Sequence, residues 1–171
     1  MLVGTTRVLF ILDACVLIDF KDADPGLFRR VVRHLGRIII PSPLLREVRG
    51  VDTTFFQEQG VEVLDPSTDQ LMRAAAKRGR LSFADHLCLL MAQDAGFTCV
   101  TNDGALRNAC LAEGVEVVRG LKLVLNLVEA KGLTPLEAME ISRAIHRANP
   151  LHVNAGVLAA FDRLLEQYVL S

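Results

Sequence analysis

Five short apolar runs constrain this chain more than any other feature. Residues 8–12, 37–40, 61–64, 98–101 and 115–118 are rich in β-branched side chains and too short for buried helices. They are continuous rather than alternating, which suits parallel strands covered on both faces. Between them lie stretches of helical period. Residues 28–35 place Phe28, Val31, Val32 and Leu35 on one face, and residues 67–77 run towards Gly79. Residues 82–95 and 103–113 stop before Gly96 and Gly114, two glycines suited to a helix C-terminus. Strand–helix–strand units joined by short loops imply right-handed crossovers, hence a three-layer α/β/α sandwich around a central parallel sheet of five strands.

After Val118 the strands stop. Residues 121–131 read as a helix, and Thr134, Pro135 and Glu137 then form an N-cap, N1 proline and capping-box acid. The helix they open runs to Ala148, where Asn149-Pro150 breaks it, and a last one covers residues 154–170. The organisation expected is an α/β body over residues 1–120 and a C-terminal helical extension, residues 121–171, packed on it.

Composition narrows the function classes. With 51% hydrophobic residues and a net charge of −1, the chain is neither a disordered segment nor a uniformly basic polyanion binder. No stretch approaches the roughly 20 apolar residues that span a bilayer. The first apolar run stops at Asp13, too early for a signal sequence, so a cytoplasmic location is expected. Cys15, Cys88, Cys99 and Cys110 lack metal-ligand spacing and read as buried free thiols of a reducing compartment.

The acids carry the functional signal. Asp13 follows the first strand, and Asp103 follows the fourth. Asp85 lies in the first turn of the helix capped by Ser82, and Glu47 in the short helix opened by Pro41-Ser42-Pro43. In open parallel sheets, ligands bind beyond the carboxyl ends of the strands, where these four positions converge. Carboxylates gathered there repel one another, and a hard divalent cation relieves the repulsion. Each acid also has a purely structural reading: Asp13 and Asp103 as helix caps, Asp85 as the capping-box partner of Ser82, Glu47 as a solvated helix charge.

The segment Ile11-Leu12-Asp13-Ala14-Cys15-Val16 resembles the opening strand and acid of PIN domains. Pro41-Ser42-Pro43-Leu44-Leu45-Arg46-Glu47, Leu81-Ser82-Phe83-Ala84-Asp85 and Thr101-Asn102-Asp103 are similar to their second, third and fourth acidic motifs. Among PIN domains the likeness is to the VapC-like toxins of prokaryotic toxin–antitoxin pairs, which end soon after the fifth strand, whereas here a helical tail follows. The resemblance implies a Mg²⁺- or Mn²⁺-dependent endoribonuclease. Asp13, Glu47, Asp85 and Asp103 would be its catalytic, metal-holding residues, RNA its substrate and an antitoxin protein a partner. An apolar stripe of Leu164, Leu165, Tyr168 and Val169 adds the expectation of a homodimer. The alternative is a catalytically weak PIN-like module that binds RNA or protein.

The substrate would be a polyanion, so basic groups should edge the acidic pocket. Arg29, Arg30, Arg33 and Arg37 form one cluster; Arg73, Lys77, Arg78 and Arg80 form another that leads into the Asp85 motif and is the preferred edge. His86 lies one helical step, about 100°, from Asp85, so it reads as a packing or surface residue rather than a base. Other phosphoryl-transfer folds fit less well, since no second acid accompanies Asp13, and Walker A and dinucleotide glycine patterns are missing from the sequence.

Overall fold

A computed structural model describes residues 7–76 and 79–170. Its strands are β1 (Val8–Leu12), β2 (Gly36–Pro41), β3 (Glu62–Leu64), β4 (Thr98–Val100) and β5 (Val117–Val118). All pair in parallel in the order β3-β2-β1-β4-β5. The chain winds from β1 outwards to β3, then returns to the other side of β1 for β4 and β5. The switch therefore falls between β1 and β4, which pair through Phe10–Thr98, Ile11–Cys99 and Leu12–Val100. This is the α/β sandwich expected, with five parallel strands and helices after them.

The helices are α1 (Ala14–Ala23), α2 (Leu27–His34), α3 (Thr53–Glu58), α4 (Thr68–Ala76), α5 (Phe83–Ala95), α6 (Gly104–Ala112), α7 (Gly120–Glu129), α8 (Pro135–Ala148) and α9 (Ala155–Val169). Helices α4, α5 and α6 pack together as one layer, while α1, α2, α7, α8 and α9 form the other. Local chemistry sets many of their ends. Ser82 and Asp85 make both bonds of a capping box at α5, and Gly96 closes that helix in the left-handed region at φ 71°. Thr134 and Glu137 do the same for the start of α8, with Pro135 in its first turn. One apolar core contains Phe20, Phe28 and Ile39 of the α/β part together with Leu127, Ile141 and Phe161 of the last three helices.

Several local readings differ from the sequence. Thr101 lies just beyond β4 rather than in it; its N–H still bonds Val118 O (3.0 Å), and its side chain reaches the carboxylate of Asp13. Helix α3 stands in an acidic stretch with no clear helical period; Asp52 caps it at Phe55 N (3.0 Å), and Phe56 packs edge-on against Phe28. The segment carrying Glu47 is a 3-10 turn, Ser42–Glu47. Cys15 is exposed, and only Cys88, Cys99 and Cys110 are buried. In the tail stripe, Leu165 is buried and Tyr168 packs on the core, leaving Leu164 and Val169 exposed.

Gly36, the first residue of β2, is fixed by close approach rather than by its dihedral angles. A Cβ there would stand 2.2 Å from the backbone oxygen of Val8, its partner in β1. Backbone cannot yield as a flexible side chain can, so the strands would have to separate. Gly36→Ala is expected to cost about 1–3 kcal/mol, the usual range for overpacking. A urea-unfolding midpoint equal to that of the wild type would show that this edge of the sheet yields freely.

Candidate functional site

The sheet topology brings Asp13 and Asp103 together, since they follow the two adjacent strands between which the winding reverses. Asp13 is the N-cap of α1 and only 1% exposed. Its Oδ1 accepts from Val16 N at 2.8 Å, and its Oδ2 accepts a short bond from the Thr101 hydroxyl. The same hydroxyl oxygen accepts from Asp103 N at 3.0 Å. Asp103 in turn caps α6 through Leu106 N (3.0 Å). Thr101 is thus a bridge that locks the acid of β1 to the backbone of the acid of β4.

Asp85 arrives from α5, half-buried, with Oδ2 accepting from Ser82 N at 3.4 Å. The Ser82 hydroxyl is spent on Asp85 N (3.1 Å), so Ser82 is a helix cap. Glu47 is exposed at the end of its 3-10 turn. The structural and functional readings of the three aspartates are not exclusive. Each caps or braces a helix N-terminus with its carboxylate, and that anchoring holds the group at the sheet edge.

Electrostatics shows how closely the acids gather. Burial pushes the Asp13 carboxyl up from 3.8 to about 7, against the lowering by its bonds to Thr101 and Val16, and the charges of Asp85 and Asp19 add to the rise. The Cys15 thiol, two residues after Asp13 and partly sheltered although the residue as a whole is exposed, is raised to about 12 by that burial and by Asp13, Asp19, Asp85 and Asp103 together. The Cys88 thiol, deep under the site, feels Asp13, Asp85 and Glu47. Three of the four expected acids, Asp13, Asp85 and Asp103, are thus felt at Cys15, while Glu47 is felt at Cys88.

Asp19 is a fifth acid that the strand-end logic passes over, because it lies inside α1. It is 5% exposed. Asn102 Nδ2 donates to its Oδ2 at 3.1 Å, and Asn149 Nδ2 reaches both oxygens at 3.3 and 3.1 Å. Burial raises its pKa, and those two amides and His152 pull it back. Asn102 also accepts from Gly120 N at 3.0 Å, so one amide joins the site to the start of α7. The available signal was an acid between Ile18 and Phe20 in an otherwise apolar segment.

Several arginines of the basic clusters are engaged by other partners. Arg37 makes a two-pronged pair with Glu62 (2.7 and 2.6 Å) at the amino end of the sheet, opposite the acids. Arg29 donates to Glu58 O, and Arg30 to Gly132 O and Glu137. In the preferred cluster Arg73 is paired with Asp69 and Asp94, Arg80 is exposed, and Lys77 and Arg78 lie outside the described residues. His86 is buried in α5, a packed residue.

The donor set suits a hard cation in its chemistry: carboxylate oxygens only, one of them fully buried and costly to ionise without a counter-charge. Among the described residues, no three His, Cys, Asp or Glu side chains are already drawn close enough to enclose an ion. Asp85 and Asp103 each use only Oδ2 in the helix-capping bonds described above.

The Asp13 shift makes a pH-dependent stability. From about pH 4 to 7 the folded chain keeps a proton that the unfolded chain has lost, so stability falls as pH rises through that window. The full penalty is on the order of 4 kcal/mol. In EDTA, Asp13→Asn is expected to raise Tm relative to wild type at pH 8, with the gain shrinking towards pH 4. A pH-independent difference in thermal melts would show that Asp13 ionises freely.

No family model matches the sequence, and no curated protein matches it. Among solved structures, the chain is similar to a PilT N-terminus domain protein from the hyperthermophilic archaeon Sulfolobus solfataricus P2, with a TM-score of 0.54 and 15% identity. The likeness covers 71% of this chain and 95% of that one. What the two share is the fold: the chain has the α/β architecture of a PilT N-terminus, or PIN, domain, followed by further helices.

Proposed function

We propose that the chain is a Mg²⁺- or Mn²⁺-dependent endoribonuclease whose site is Asp13, Asp85 and Asp103, with Glu47 at the rim. The observation that carries this reading is the Asp13–Thr101–Asp103 linkage at the switch point of the sheet, with Asp85 close enough to perturb Asp13. A structural cap has no need of a buried carboxylate surrounded by other carboxylates. A cation site does, because the ion offsets both burial and repulsion. Resemblance to VapC-like toxins supports RNA as the substrate and an antitoxin as a partner, and the exposed Leu164 and Val169 of the tail stripe support a second copy of the chain in a dimer.

Asp13 would be the central ligand, with Asp85 and Asp103 offering the oxygens not used in capping and Glu47 acting directly or through water. A bound divalent cation lowers the pKa of its water and stabilises charge on the phosphodiester oxygens during in-line attack. The chain supplies the positioning. Thr101 fixes the orientation of Asp13, and Asn102 and Asn149 hold Asp19 beneath it. Because Asp13 keeps its proton to about pH 7, loading the site releases a proton and strengthens with rising pH.

Cleavage of a mixed-sequence RNA pool is the direct test. Wild type is expected to cut in Mg²⁺ or Mn²⁺ and to stop in EDTA, while Asp13→Asn and Asp103→Asn fall to background. Thr101→Val, which removes only the bridge, should lose about 10- to 100-fold, as positioning groups behind metal ligands do. Equal cleavage by wild type and both aspartate variants would overturn the reading. A module that only binds would show no metal-dependent cleavage at all.

A further inference from the structure

The acids occupy the carboxyl ends of β1 and β4, but the same sheet edge continues to β5, and there the charge changes sign. Arg119 follows β5 directly and N-caps α7. Its neighbour Val118 is bonded to the site segment through Thr101 N (3.0 Å to Val118 O). Arg107 sits one turn beyond Asp103 on α6, with its backbone N–H on Asp103 O at 3.1 Å. Its guanidinium folds back over the first turn of α6, where Nη2 lies 3.8 Å from the Cβ position of Gly104. Both arginines thus belong to the edge that carries the acids.

These two arginines differ from the others of known pairing. Arg30, Arg37, Arg73 and Arg143 each meet a carboxylate. Among the described residues, Arg107 and Arg119 have no ion pair, and Arg107 Nη1 is buried with no hydrogen-bond acceptor. The backbone bonds Thr101 N to Val118 O and Arg107 N to Asp103 O bring both residues to the β4–β5 end of the sheet, and Arg119 is lowered by partial burial and by the Arg107 charge. Two partly buried, unpaired guanidiniums at one sheet edge are unfavourable unless an anion joins them. Among the described residues, Asp103 makes no ion pair with either of them. An oxyanion with several oxygens matches two guanidinium forks, and a phosphodiester one step along a strand is such a group.

We propose that Arg107 and Arg119 form a subsite for a non-scissile phosphate of the bound nucleic-acid strand, setting its register over the neighbouring acids. The subsite rests on the nuclease reading and extends it, because it names which part of the substrate the β5 side of the edge takes.

The test is binding of a fluorescent single-stranded RNA 12-mer by anisotropy across a NaCl series in Mg²⁺. All proteins carry Asp13→Asn so that the strand is not cut. Each single-strand phosphate contact contributes about 0.7 to the slope of log K against log salt. Both arginines serve one phosphate, so the double variant Arg107→Gln/Arg119→Gln should lose about 0.7 from the slope. Arg107→Lys/Arg119→Lys should keep most of the slope, because charge remains. Arg33→Gln/Arg163→Gln, which removes equal charge from exposed positions on α2 and α9, should leave it unchanged. Far-ultraviolet circular dichroism shows whether each variant is folded. A double variant with the parent slope, or a control pair that loses as much, overturns the subsite and leaves the nuclease reading standing. A parent that binds no strand overturns both.

Discussion

The buried carboxylate of Asp13 is the interaction on which the rest of the site depends. It lies where the winding of the sheet reverses, and burial raises its pKa to about 7. A group that costly to ionise is held by neighbours that leave it little freedom: Val16 N on one oxygen, the Thr101 hydroxyl on the other. Because Thr101 also accepts from Asp103 N, the carboxyl ends of β1 and β4 act as one rigid unit. The helix caps and the candidate metal ligands are then the same side chains, which places charge with little side-chain entropy left to lose.

The C-terminal helices take part in this site through polar contacts as well as through the core. Asn149, just past α8, donates to Asp19, and Asn102, between Thr101 and Asp103, donates to the same carboxylate. A buried carboxylate with amides on both oxygens is well satisfied, and losing either amide would leave charge uncompensated. The break at Asn149-Pro150 therefore has two roles: it ends α8 and it delivers a side chain to α1.

Charge placement along the sheet edge explains why the bulk charge of −1 is so uninformative. Acids stand beyond β1 and β4, unpaired arginines beyond β5, and the paired Arg37–Glu62 couple sits at the opposite end. Averaging over the molecule cancels contributions that never meet.

Five β-branched runs, the Gly96 stop and the capping boxes at Ser82 and Thr134 are local features, and each was readable because its cause lies within a few residues. Asp13, Asp85 and Asp103 were readable too, since a parallel sheet sends every strand end to one side. Distances along the chain hid the rest. Asp19 and Asn149 are 130 positions apart, and Thr101 and Asp13 are 88. Whether Arg73 or Arg107 remains unpaired depends on which carboxylates the packing brings near: Asp94 reaches Arg73, while Arg107 Nη1 is buried with no acceptor. Sequence by itself determined the layers, the sheet and the end of it where acids collect. Only the tertiary structure decided which acid is buried, which hydroxyl bridges it and which cations are left over, because those outcomes follow from desolvation and contact between segments that the chain keeps far apart.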